Sequence, residues 1–441
     1  MHMLIKFRVE NYLSFNEVQS LSLIKGQSRN LNEHVYEAGD KGILRMAAIF
    51  GANASGKTNL IEAISKSMRY IVNGIPIPPN EYCRVKKSNK EKPTSFEYEL
   101  EINEETFVYG FEVILSASKI EREWLYQLGK TGKKDLFERT DKITTDLKEE
   151  GEDGMRFSVY AKDAINLPQR LFLTDIGRRN FGDKGKYSIF SKILTWLATN
   201  IRIIPAGEPT GFAFSQEQTA LSSKVLSAYG TGVTEVNSEM LDGGFNPIPQ
   251  VTIDYLLDNF RKTNKKNPGP GELITTVRSP ENLEPLLIAL DESGKPVVKK
   301  LVFKHGEESF EYGEESDGTN RLMDLLPILC KDSGNEAIYI IDELDRSLHP
   351  QLTQKFVRDF EKLCEKSKRQ LIFTTHESRL MDLDLLRRDE IWFAEKNKEG
   401  STVLFSLEEF NERGDRRVDK AYLEGRYGAT PCFRSLFPPL E

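Results

Sequence analysis

Apolar and polar positions change rhythm several times along this chain of 441 residues. The opening "LIKFRVENYLSFNEVQSLSLI" alternates well enough to predict two short strands around a turn at Ser14 to Asn16. "RMAAIF" reads as a short buried strand. "KTNLIEAISKSMRYI" then spaces Leu60, Ile61, Ile64 and Met68 as one face of a helix. "VNGIPIPPNEY" and "KKSNKEKP" are rich in proline or charge and predict loops. An antiparallel block follows in "TSFEYELEI", "TFVYGFEVILS" and "KIEREWLYQL", where Phe96, Tyr98 and Leu100, then Phe107, Tyr109, Phe111 and Val113, alternate with other residues. "EEGEDG" (149 to 154) predicts a solvated acidic turn.

Between about 165 and 270 the pattern is mixed and more helical. "YSIFSKILTWLATNI" has an apolar face, "TALSSKVLSAYGTGVTEV" predicts a helix ending at Gly230, and "RKTNKKNPGPGE" (261 to 272) is the strongest linker. "PLLIALDESGKPVVKKLVFKH" predicts two strands around Glu292 to Lys295. Beyond it, "NRLMDLLPILC", "AIYIID", "QLTQKFVRDFEKLCEK", "QLIFTTH" and "EIWFAEK" alternate helix with buried strand, the rhythm of a parallel sheet. No heptad persists, so long coiled-coil arms are not expected.

Composition adds limits. A net charge of −7 argues against coating of DNA by the whole surface, which wants a basic domain. Four isolated cysteines and five scattered histidines make neither a C-x-x-C pair nor an H-E-x-x-H metal motif. Without a secretory leader or a run of ~18–20 apolar residues, the expectation is a cytoplasmic protein with no membrane partner. Arg387–Arg388 and Arg413 to Lys420 are mixed with acids and read as solvated surface, with partner docking as the alternative.

The candidate chemistry begins at "GANASGKT", Gly51 to Thr58, which fits G-x-x-x-x-G-K-[ST]. Glycines let successive N–H groups curl toward one anion, Lys57 reaches β- and γ-phosphates from a solvent-facing cradle, and Thr58 offers a hydroxyl to Mg2+. The helix that starts there turns its positive end to the phosphates. "AIYIIDE" brings Asp342 to the carboxyl edge of a buried strand as a metal carboxylate, with Glu343 next to it to polarise water. "ESDGTNRLMDLL" makes a second anion site from Ser316, the backbone near Gly318 and a helix start, or else an ordinary serine cap. "LDRSLHP" supplies Asp345, and "LIFTTHE" ends a buried strand in His376.

Together with "IKFRVENYLSFNE", "YGFEV", "EREWLY" and the tail "YLEGRYGATP", these motifs resemble the SMC-like branch of ATP-binding-cassette ATPases in the AAA family. Within it the chain is similar to the compact ATPase subunits of bacterial two-gene abortive-infection systems of the PARIS, AbiL and Rlo types. The resemblance implies an α/β fold: an ABC/SMC-type head with a phosphate-loop parallel sheet, an antiparallel β subdomain and a short helical insertion. The corresponding segments are an N-terminal lobe over 1–130, a mostly helical insertion over 131–285 and a C-terminal lobe over 286–441. It implies ATP held by Gly51, Asn53, Ala54, Ser55, Gly56, Lys57, Thr58 and Asn59, with Mg2+ on Thr58 and Asp342. Two chains, or a higher oligomer of such dimers, would pack head to tail, Ser316 and Gly318 of one closing on the nucleotide of the other. Glu343 would activate water, and Asp345 and His376 would couple the two sites.

The implied function is a sensor ATPase of anti-phage defence that holds or releases a separate toxic effector, a TOPRIM-type nuclease, in response to a phage trigger protein. The alternatives are an SMC-like ATPase acting on DNA in repair or recombination, and a fused nuclease, for which the stretch after His376 is too short. The chain departs from the cassette pattern in one respect: no glutamine lies between the phosphate loop and Gln127, so slow hydrolysis is expected.

Overall fold

The structure, a computed structural model, describes residues 2–38, 41–129, 132–147, 151–182, 185–206, 216–241, 247–264, 267–269, 273–279, 284–329, 336–364, 367–410 and 417–431. The chain folds into two compact units. One is built from Met1–Ala206, Gly334–Leu344 and Glu361–Glu441, the other from Gly207–Ser333 and Asp345–Phe360.

In the first unit the alternating segments form one antiparallel sheet. Its strands are β1 (His2–Glu10), β2 (Gln19–Ser22), β6 (Thr94–Ile102), β7 (Glu105–Ile114), β8 (Lys119–Gly129), β9 (Gly132–Arg139) and β10 (Ile143–Thr144), in the order β10-β9-β8-β7-β6-β1-β2. A separate two-stranded ribbon pairs β3 (Val35–Ala38) with β4 (Lys41–Leu44). Short strands of four to six residues, most of them apolar without alternation, form a second sheet. It comprises β5 (Met46–Phe50), β11 (Ile201–Ile204), β17 (Ile338–Ile341), β18 (Gln370–Thr374), β19 (Ile391–Lys396) and β20 (Thr402–Ser406), in the order β11-β17-β18-β5-β19-β20. The first five run parallel and β20 is antiparallel to β19. Every residue of β5, β17 and β18 is buried, as expected of strands covered on both faces.

Helix α1 (Lys57–Asn73) sits against the antiparallel sheet. Leu60, Ile61, Ile64, Met68 and Ile71 are buried, Ser67 shares a 2.6 Å hydrogen bond with the Tyr98 hydroxyl, and Tyr70 meets Phe111 edge-on at 5.6 Å. The helix stops at Gly74, whose φ of 73° only glycine adopts at little cost. α2 (Gly151–Ile165), α3 (Phe172–Ile176), α4 (Ser188–Asn200) and α9 (Val418–Leu423) complete this unit. Of residues 149–154, expected as a solvated acidic turn, 151–154 are the first turn of α2, where Glu152 and Asp153 suit the positive end of the helix, and 149–150 lie outside the described residues.

The second unit has its own sheet of β12 (Glu235–Met240), β13 (Leu273–Arg278), β14 (Pro285–Leu290), β15 (Pro296–His305) and β16 (Glu308–Glu311), with α5 (Gln216–Ala228), α6 (Gln250–Asn264) and α7 (Asp317–Leu329). Most of α8 (Pro350–Cys364) also belongs to it. The linker expected over 261–272 begins as the last turn of α6, and part of it lies outside the described residues.

One buried side chain ties the two sheets of the first unit together. The Gln370 amide accepts the Leu4 N–H at 2.7 Å and donates to the Leu4 and Leu44 carbonyls at 2.9 and 3.0 Å. Gln370→Leu keeps the volume but strands these three backbone groups, each costing ~1–3 kcal/mol unpaired. A loss of at least about 3 kcal/mol in urea unfolding is expected. A change under ~0.5 kcal/mol, usual for surface positions, would show that the amide is no tie.

Candidate functional site: a phosphate loop at the edge of a parallel sheet

The turn after β5 has the backbone its glycines require. Gly51 has φ 155°, Ala54 62° and Gly56 109°. A Cβ on Gly56 would stand 2.2 Å from Thr402 Oγ1 and 2.8 Å from Ser14 Oγ, and one on Gly51 2.4 Å from the Ala394 carbonyl oxygen. Neither position has room for a side chain. The N-terminus of α1 has no capping side chain and no acidic residue in its first turn, so its positive end faces outward for an external anion. Thr58, Asn53 and Ala54 are exposed. Ser55 Oγ is buried without a hydrogen-bond partner. A native structure rarely leaves such a group unpaired, and a bound anion's oxygens would suit it.

Lys57 departs from the solvent-facing position expected of it. It is only 5% exposed, and its ammonium is folded back on its own loop, donating to the Gly51 and Ala52 carbonyls at 2.9 and 3.1 Å. Those carbonyls occupy the role that phosphate oxygens would take. Asn59 is turned inward as well, donating to Ser14 Oγ at 2.7 Å. The loop therefore fits a nucleotide's phosphates, with Lys57 reachable through exchange of acceptors.

The remaining first-unit candidates leave the sheet at the same edge. Ile341 is in register with Phe373, Phe373 with Ala48, and Phe393 with Phe50. Asp342 follows β17, His376 follows β18 and Gly51 follows β5, so all three emerge where open α/β sheets bind ligands. Asp342 is 1% exposed and accepts a hydrogen bond from the Thr374 hydroxyl. The same Thr374 oxygen accepts the Glu343 N–H at 2.8 Å, and the Thr374 carbonyl accepts the Leu344 N–H at 3.0 Å. This clamp holds Glu343 at φ 51°, a left-handed conformation that costs a non-glycine residue about 1–3 kcal/mol. His376 is exposed and lines a cleft of about 780 Å3 together with Gly51, Asn53 and Ser55.

Ser316, Gly318 and Asp345 lie in the second unit. Ser316 caps α7, its Oγ accepting the Thr319 N–H at 3.1 Å, while its side chain remains exposed. A Cβ on Gly318 would lie 3.0 Å from the Ser347 carbonyl oxygen, which fixes a close approach of these two turns. The Asp345 carbonyl accepts the Leu348 N–H at 3.0 Å, closing the turn that leads into α8.

Sequence reasoning missed Ser14, Thr374 and Thr402. Thr402 Oγ1 is 2.7 Å from both Ser14 Oγ and the Ser55 carbonyl. Ser14 and Thr374 stood inside quoted motifs without a role, and Thr402 carried no signal at all. One surface reading also changes. Arg387 is fully buried, its guanidinium pairing with both Asp389 oxygens at 2.9 and 2.8 Å and with the Ser28 carbonyl at 2.8 Å. In the tail, Tyr422 and Tyr427 are buried. Residues 413–416 of the other basic cluster lie outside the described residues.

A glycine loop at a helix start, with an aspartate, a glutamate and a histidine along one parallel-sheet edge, defines a P-loop nucleotide-binding ATPase. Residues 46–154 and 207–382 match the family model described as "AAA domain, putative AbiEii toxin, Type IV TA system", and the chain belongs to this AAA-domain family. It is also similar to solved SMC heads. The SmcHead bound to the C-winged helix domain of ScpA is 12% identical, with 91% of this chain and 97% of that one covered and a TM-score of 0.42. The SMC head domain from Thermotoga maritima is 14% identical, covering 91% and 98%, with a TM-score of 0.34. The Smc head domain with an extended coiled coil, bound to the C-terminal domain of ScpA derived from Pyrococcus furiosus, is 13% identical, covering 92% and 96%, at 0.40. No curated protein sequence matches this chain. Among the described residues, no helix is long and apolar enough to cross a membrane.

The Thr374 clamp is directly testable. Thr374→Val keeps the shape but removes the hydroxyl, and a small misplacement of reacting groups costs up to ~100-fold. ATP turnover is expected to fall ~10–100-fold with ATP affinity changed less than about threefold, and Thr374→Ser to restore it. Normal turnover in the valine variant would remove Thr374 from the site.

Proposed function

We propose that this chain is an ATP-binding and hydrolysing sensor subunit of a bacterial anti-phage system. ATP closes a head-to-tail dimer, or an oligomer of such dimers, that holds or releases a toxic nuclease partner of the TOPRIM type. The observation that carries the reading is the shared sheet edge, where the phosphate loop, Asp342 and the clamped Glu343 stand together as a hydrolytic switch needs them. The defence assignment draws on the family's toxin–antitoxin description and on the resemblance to abortive-infection subunits.

On this reading Lys57 exchanges its two carbonyl acceptors for β- and γ-phosphate oxygens, and the α1 N-terminus stabilises their charge. Thr58 and Asp342 would hold Mg2+, which would supply neutralisation of the developing negative charge. Glu343 takes the proton of a water whose oxygen attacks the γ-phosphorus as the bond to the β–γ bridging oxygen breaks. His376 senses the γ-phosphate. Ser316 and Gly318 at the start of α7 come from the second chain, and Asp345 couples the two sites. Nucleotide state thereby becomes an assembly state.

Lys57→Ala removes two charge-assisted contacts of ~1.5–3 kcal/mol each, so ATP affinity should drop at least ~10-fold in calorimetry while the fold persists. Glu343→Gln should bind ATP and accumulate a dimer in sizing experiments, whereas Ser316→Arg should bind ATP and stay monomeric. Normal hydrolysis by Glu343→Gln would exclude it as the base.

The biological half of the proposal has its own test. Cells expressing this chain alone should grow normally and remain phage-sensitive, and adding the neighbouring gene should protect them. Lys57→Ala or Glu343→Gln should abolish that protection. Nuclease activity of the purified chain alone, lost on changing its own carboxylates, would overturn the separate-effector reading.

A further inference from the structure

The motif "YLEGRYGATP" has no part in the reading above, yet the structure seats it beside the phosphate loop. Phe393 on β19 is stacked against two tail rings, Tyr422 at 5.6 Å and Tyr427 at 5.9 Å. The Tyr422 hydroxyl donates to the Ala429 carbonyl at 3.0 Å, closing the tail on itself. Further along β19, the Glu395 carboxylate accepts the Ala429 N–H at 3.1 Å. Gly428 has φ 71°, and a Cβ there would stand 2.9 and 3.0 Å from the two Glu395 oxygens. The tail therefore reaches Glu395 only through a glycine.

The same strand supports the phosphate loop, because Gly51 packs directly on the Ala394 carbonyl. One residue of β19 touches the loop and the next holds the tail. Between them opens the cleft of about 780 Å3, lined by Gly51, Ser55 and His376 and by Glu395, Tyr422 and Thr430. A carboxylate on the wall of a cleft that receives a triphosphate repels it. Here that carboxylate is bound to a backbone N–H of the tail.

We propose that the segment Tyr422–Pro431 is a wall of the nucleotide cleft that masks Glu395, so that its seating sets the affinity for an anionic nucleotide. Seated, the Ala429 N–H offsets part of the carboxylate's charge and the tail holds it aside. Unseated, Glu395 faces the incoming phosphates. The inference rests on the ATP-site reading and adds to it a control element that no phosphate-loop motif contains.

The test uses the full chain, Gly428→Val, Gly428→Val with Glu395→Gln, and a chain ending at Glu424, with and without Glu395→Gln. Tryptic cleavage after Arg426, which is exposed, reports whether the tail is seated. MgATP affinity is measured by calorimetry, and thermal melting confirms the fold. Gly428→Val should be cleaved faster and bind MgATP about tenfold more weakly, and the shortened chain should bind as weakly. Glu395→Gln should return both to within about threefold of the unaltered chain while the tail stays unseated or absent. Unchanged affinity in the shortened chain, or no recovery with Glu395→Gln, overturns the proposal. Failure of the unaltered chain itself to bind MgATP better than Lys57→Ala would instead overturn the ATP-site reading.

Discussion

A glycine loop in water has many conformations, and a phosphate cradle needs one. In this chain the selection is made from beneath, by a hydroxyl relay that joins three distant stretches of sequence. Thr402 Oγ1 stands 2.7 Å from the Ser55 carbonyl and 2.7 Å from Ser14 Oγ, which in turn accepts from Asn59 at 2.7 Å. Having one proton, Thr402 gives it to the carbonyl, which can only accept, and takes the proton of Ser14. The Thr402 N–H also donates to the Ser14 carbonyl at 2.7 Å. Buried hydroxyl chains of this kind polarise one another, and each member left unpaired would cost ~1–3 kcal/mol. The same two side chains leave Gly56 no space for a Cβ. The relay and the glycine therefore specify each other, and the start of α1 follows from both.

The second dependence runs through the middle strand of the parallel sheet. β18 lies between the strand of the phosphate loop and the strand of Asp342, so its last residue is placed to govern both. Thr374 uses its hydroxyl and its carbonyl on the Asp342–Leu344 turn. At the other end of the strand, Gln370 holds the antiparallel sheet through Leu4 and the ribbon through Leu44. One short buried strand thus carries the site at its carboxyl end and the interlayer tie at its amino end. Strain at Glu343 persists because the surrounding bonds over-determine it.

Much of this was legible in the sequence wherever the signal is local. Period-two alternation marked β6 to β8, unbroken apolar runs marked β5, β17 and β18, and the loop glycines marked their own turn. What sequence missed depends on contacts across long separations. Thr402 matters only because β20 returns beside residue 14, nearly four hundred positions earlier. Arg387 looked like surface because its neighbours are charged, whereas Asp389 and three loop carbonyls of residues 28, 30 and 31 make its burial tolerable. The acidic run near 150 misled for a different reason: carboxylates that suggest a solvated turn are equally favoured in the first turn of a helix. Tyr422 and Tyr427 have the composition of a contact surface, and Phe393 provides that contact within the chain.

The position of Lys57 depends on both the relay and the loop. A cation held by two loop carbonyls keeps the loop closed on itself, and a phosphate must compete with those bonds before it gains the lysine. That competition lowers affinity, while the relay beneath the loop spares the nucleotide the cost of ordering the backbone. The two effects oppose, and their balance rests on charge close to the cradle. Ordering is set in residues that never meet the ligand, whereas the electrostatic balance is exposed to whatever moves at the cleft wall. Because the loop has no alternative packing for Gly51 or Gly56 to adopt, the proposed control of affinity falls to the charge at the cleft wall and not to the loop itself.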